Sequence, residues 1–177
     1  MTMISLPRRC AIAAISLSLA AVMFHGQIAS ALITRGDDAI RNGDTAGAVR
    51  YYRRALAVDG SSTRAADRLA FYLTMRRAAG DAEAAIGVAT AALERTPHDP
   101  ALLADRGLAE QRLHRWAAAE TDLGNAGQAG QDPRYDHLAG RVALRRGDLA
   151  GARRYFRIAL ALDPAFGPAR VALQGLP

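Results

Sequence analysis

The stretch RNGDTAGAVRYYRRALAVDG at residues 41–60 is written almost again as RRGDLAGARRYFRIALALDP at residues 145–164, with 13 of 20 positions identical at an offset of 104. Both copies carry a glycine–aspartate pair followed by small and bulky apolar residues at three- and four-residue spacing, the period of a helix with one buried face. Between them, AGD at 79–81 and LHRW at 113–116 each precede another alanine-rich run. Taking Gly43, Gly80, His114 and Gly147 as equivalent gives steps of 37, 34 and 33 residues. The long-range duplication is therefore three periods of about 34 residues, with three residues inserted near Thr63 on this alignment.

Each period reads as two amphipathic helices joined by a tight turn. Glycine closes the first helix in a left-handed conformation and aspartate starts the second. The units run over about 29–62, 66–99, 100–133 and 133–166. Small residues recur in the first helices at Gly36, Gly107 and Gly140, and in the second helices at Ala48, Ala85, Ala119 and Ala152 and again at Ala55, Ala92, Ala126 and Ala159. A packing residue stands between the two alanine columns at Tyr52, Ala89, Leu123 and Phe156, and a closing proline at Pro97, Pro133 and Pro164. Departures are Leu73 where a small residue is expected, Ala89 where a bulky one is, His114 for the turn glycine and Gly60 for the first proline. This register places Ala152 at a close helix crossing and Ala150 one face round from it.

These columns resemble the tetratricopeptide repeat, over essentially all of residues 29–166. The resemblance implies an all-α solenoid of about four helix-turn-helix repeats forming a right-handed superhelix, with an array over 32–166. The remainder, 167–177, reads as a short capping helix and tail, Pro168 suiting a helix start. That helix is short for covering the last repeat, which raises self-association through the C-terminal end as one way to finish the task. The resemblance also implies that first helices line a concave groove holding a peptide or partner protein.

The N-terminus carries a basic start, an uncharged apolar run at 10–24 and the small residues ASA at 29–31. That is the three-part pattern of a secretory signal peptide over 1–31, with cleavage after Ala31. The rival reading is an uncleaved inner-membrane anchor over 10–33. The single cysteine, Cys10, lies in this segment, so a disulfide framework is excluded and the rest of the chain suits an exported compartment.

The net charge is +6 and every one of the 23 basic residues is an arginine. With alanine at 40 of 177 positions this is a compositional bias, so arginine number alone says little about an acidic partner. One tryptophan and five tyrosines are few, and the YY at 51–52 and YF at 155–156 between arginines are read as serving packing and an outward helix face, so no stacking platform for nucleic acid is expected. His25, His98, His114 and His137 share no helix face at ligand spacing, so the sequence points to no metal site. Ser61, Ser62 and Thr63 lack the neighbours of a nucleophile, and no phosphate-cradling glycine loop occurs. The sequence thus points to no catalytic residues and no cofactor.

Arg41, Arg77, Arg112 and Arg145 recur near the end of each first helix, and Arg134, His137 and Arg141 join them in the last unit. Two readings stand: a row of forked donors for an acidic or C-terminal peptide, or cations placed at helix C-termini to complement the macrodipole. The expected function is a non-catalytic protein-interaction scaffold of the bacterial envelope, in the periplasm or otherwise exported. The alternatives are a basic nucleic-acid-binding repeat protein that is not exported, and an accessory subunit of an envelope enzyme or assembly complex.

Overall fold

The structure, a computed structural model, describes residues 6–177, with side chains from Phe24 onward. Among the described residues there are nine helices and no strand: α1 (Leu6–Arg41), α2 (Thr45–Val58), α3 (Thr63–Arg76), α4 (Asp81–Leu93), α5 (Pro100–Arg112), α6 (Trp116–Gly130), α7 (Pro133–Arg146), α8 (Leu149–Leu162) and α9 (Gly167–Gln174). The chain divides into two compact units, one ending at Ala65 and the other spanning Ala66–Pro177. The expected all-α repeat of helical hairpins is what the chain forms.

In the first unit the C-terminal part of α1 packs on α2. Gly36 permits this, because a Cβ there would run into the ring of Tyr52. Tyr52 is fully buried, and its hydroxyl donates to Asp37 Oδ1 at 2.7 Å. Gly43 takes φ 77° to end α1, and Asp44 caps α2 by accepting from the Gly47 amide at 2.7 Å. Most of the expected signal segment, with its apolar run, lies outside the residues whose side chains are described. The backbone of α1 is continuous through Ala31, the expected cleavage point. Ala29 and Ile33 on either side of it are 1% and 3% exposed, so the buried face of this helix extends upstream of that point. Among the described residues no helix is long and apolar enough to cross a membrane.

In the second unit α4 through α9 pack in chain order, each on the next. A Cβ on Gly107 would sit 2.9 Å from Leu123, and one on Gly140 2.5 Å from Phe156, so these glycines mark close crossings. Ala152 is fully buried and Ala150 exposed, as the register requires. Gly147 takes φ 80° and Asp148 caps α8 through the Gly151 amide at 2.8 Å, repeating the turn of the first hairpin. His114 holds the same left-handed conformation, φ 58°, without being glycine. Ala169 of α9 is fully buried in one cluster with Ala143, Ala152, Phe156 and Ala159, so α9 caps the last hairpin.

The second repeat corrects the expected register. α3 begins at Thr63 and ends at Arg76, where Arg77 takes the left-handed conformation at φ 59°. The three extra residues therefore lie in the turn 77–80 between α3 and α4 and not near Thr63. Counted from helix starts, Ala70 stands where Gly107 and Gly140 stand in α5 and α7. Burial agrees: Ala66, Leu69, Ala70 and Leu73 are buried in α3, as are Asp136, Ala139, Gly140 and Ala143 in α7. The small residue of the second repeat is thus Ala70, and Leu73 is an ordinary core leucine. The longer turn is tied by Asp81, 2% exposed, which accepts from Arg76 Nε at 2.8 Å and from the Ala78 amide at 2.9 Å. Pro133, expected to close a unit, instead opens α7 behind the cap Asp132, as Pro100 opens α5 behind Asp99.

Candidate functional site

The residues singled out near the ends of the first helices have different surroundings. Arg41, in the first unit, is exposed and pairs with Asp38 one turn back on α1. Arg77 lies in the α3–α4 turn, and the position it was assigned is occupied in α3 by Met75, 46% exposed. Arg112 turns away to cap another helix: its Nη1 donates to the carbonyl of Thr74 in the last turn of α3 at 2.7 Å. Arg134 is held by Asp132 at the start of α7, Nη2 to Oδ2 at 2.5 Å, and that pairing keeps the Asp132 carboxyl below its ordinary range. Arg141 and Arg145 are exposed on α7. His137 packs between Phe156 and Phe166, ring centroids 5.6 and 5.8 Å away, and burial followed by the Arg141 charge lowers its pKa.

Other arginines serve as cross-ties. Arg106 of α5 forks onto Asp122 of α6, Nε to Oδ2 at 2.5 Å and Nη2 to Oδ1 at 2.8 Å. Arg146 of α7 reaches Glu120 of α6 at 2.5 Å. The guanidinium fork suits such partly buried contacts, so part of the basic excess is structural.

What the first helices of the second unit do enclose is a hollow of about 310 Å³ between α3, α5 and α7. Its walls are apolar at Phe71, Leu108 and Leu138, and its acids are Asp67 from α3 and Asp105 from α5. Asp105 is 4% exposed and its Oδ2 has no hydrogen-bond partner. Burial, then the negative charges of Asp67 and Asp99, push its carboxyl up to about 8. Burial raises Asp67 as well, against the neighbouring Arg68 charge. Thirty-eight positions separate Asp67 from Asp105, and only helix packing brings the two to one hollow. Among the described residues no group of three or more histidine, cysteine, aspartate or glutamate side chains could hold a metal ion.

A larger hollow, about 650 Å³, lies on the second helices α6 and α8, with Asp136 of α7 at its margin. The Asp136 carboxyl, pushed up to about 6 mainly by burial, fills the space where Gly127 lacks a Cβ. Its Oδ2, like that of Asp105, has no hydrogen-bond partner, but its carboxyl lies against Gly127 in the packing of α6 on α7.

Residues 33–73 match the family model described as tetratricopeptide repeat. No curated protein matches the chain by sequence. Among solved structures, a MamA protein is similar at 19% identity over 84% of this chain and 80% of its own, with TM-score 0.73. PilF of Pseudomonas aeruginosa is similar at 24% identity over 86% of this chain and 68% of its own, with TM-score 0.72. MamA of Desulfovibrio magneticus RS-1 is similar at 18% identity over 78% of this chain and 77% of its own, with TM-score 0.69.

Proposed function

We propose, from the premise that this chain is a tetratricopeptide-repeat protein in fold, that it is a non-catalytic scaffold of the bacterial cell envelope. It holds a peptide or a partner protein against its first helices. The observation carrying this reading is the hollow between α3, α5 and α7, where Phe71 is 38% exposed beside Leu108 and Leu138 over a buried acid. An apolar recess with a few polar groups is the usual form of a recognition site. The envelope location rests on the three-part pattern of residues 1–31.

Crosslinking pull-down from the native host tests the site. The double substitution Phe71→Glu and Leu108→Glu should reduce the captured partner at least tenfold, while Leu149→Glu, at an exposed position on α8, should leave it unchanged. Equal capture by all three proteins would overturn the assignment. N-terminal sequencing of the host protein tests export, and a chain starting at Leu32 is the expected result.

A further inference from the structure

We infer that the hollow between α3, α5 and α7 receives a basic side chain, a lysine or arginine of a partner peptide, with its cationic end at Asp67 and Asp105 and its stem along Phe71 and Leu108. This rests on the first-helix hollow being the docking site. It gives that site the opposite polarity to the acidic peptide suggested by one reading of the arginines near the helix ends.

Charge complementarity carries the argument. A buried carboxyl oxygen without a partner is costly, and proteins leave few of them. Asp105 Oδ2 is such an atom, in a side chain 4% exposed at the wall of an open hollow. Asp67 adds a second acid from the facing helix. Asp99, whose charge also reaches Asp105, is engaged in capping α5, accepting from the Ala101 and Leu102 amides at 3.0 and 3.1 Å. Of the cations around the hollow, Arg68 acts on its neighbour Asp67, and Arg134 is tied to Asp132. The raised pKa of Asp105 traces to burial and to two acids, with no arginine opposing them. Two acids beside the apolar walls of Phe71, Leu108 and Leu138 suit an organic cation. Lysine and arginine suit the remaining chemistry, since their methylene stems lie comfortably on apolar walls while the head seeks a carboxylate.

A cation entering the hollow would ionise Asp105, releasing a proton near neutrality. The groups facing Asp105 are Asp67 and Arg68 from α3, Asp99 at the start of α5, and Arg134 and Tyr135 from α7.

The test titrates three peptides into the full chain and follows backbone amides by NMR: acetyl-Ala-Leu-Lys-Leu-Ala-amide, and the same peptide with norleucine or glutamate at the centre. The lysine peptide should shift the Asp67, Phe71 and Asp105 amides saturably and bind at least tenfold more tightly than either control. Its affinity should rise between pH 6.5 and 8.5. In Asp105→Asn, with folding confirmed by its melting curve, the lysine preference should fall to within twofold. Glutamate binding as well as lysine, or a preference intact in Asp105→Asn, overturns the inference. Norleucine equal to lysine also overturns it but leaves the hollow as an apolar docking site. If none of the peptides shifts these amides the inference falls, and the scaffold reading is then decided by the pull-down.

Discussion

The second and fourth repeats solve the same packing problem differently. In α7/α8 the helices cross at Gly140 against the ring of Phe156, and a two-residue turn of Gly147 and Asp148 joins them. In α3/α4 the corresponding positions hold Ala70 and Ala89, both fully buried, and a four-residue turn is tied by Arg76 and Asp81. A glycine–aromatic pair and an alanine–alanine pair both let helices approach, but only the first fills a deep notch with one large ring. The second repeat relies on Leu73 for bulk and on an ion pair for the turn. Matching repeat length by turn glycines hides this difference, and matching it by helix starts exposes it.

The sharpest way to break that comparison is Leu73→Ala. If Leu73 is core, as its complete burial indicates, the loss should be about 2–5 kcal/mol. If it occupied the small-residue position instead, the change would be neutral or stabilising, and thermal unfolding distinguishes the two. Next, Gly140→Ala places a Cβ 2.5 Å from Phe156 and should cost about 1–3 kcal/mol by overpacking. Unchanged melting there would mean that α7 and α8 can separate freely. Arg76→Ala leaves Asp81 buried without its ion partner and should cost about 1–2 kcal/mol. No comparable loss should follow Arg145→Ala on the exposed face of α7.

The smallest effect is a pH dependence. Asp105 has a folded pKa near 8 against an ordinary 3.8, so between those values the folded chain holds a proton that the unfolded chain has released. Stability therefore falls as pH rises through that range. From pH 7.5 to 9, above the ordinary His137 value of 6.5 and the Asp136 value of about 6, the loss should be about 1 kcal/mol. Asp105→Asn should be flat over the same interval in chemical denaturation.

The repeat architecture was legible because it is local. Three-and-four periodicity and Gly-Asp turns mark the helices from their own residues, and the caps at Asp44 and Asp148 form, whereas Pro133, read as an end, opens α7 behind Asp132. The second repeat misled because Gly80 has the look of the other turn glycines. Arg77 supplies the left-handed residue that ends α3, a role that seldom falls to a non-glycine residue. The spacing Ala66, Leu69, Ala70, Leu73 was the signal available for the true register. Side-chain destinations were not legible: Arg112 reaches a carbonyl 38 residues back, and Asp67 meets Asp105 only through packing.

The continuity of α1 through Ala31 bears on timing. A peptidase needs an extended, accessible chain at the bond it cuts, whereas here the bond after Ala31 lies within a helix, between the buried Ala29 and Ile33. On the proposed export reading, removal of residues 1–31 would therefore precede formation of the first hairpin, and the rate at which α1 closes onto α2 would decide whether those residues are kept.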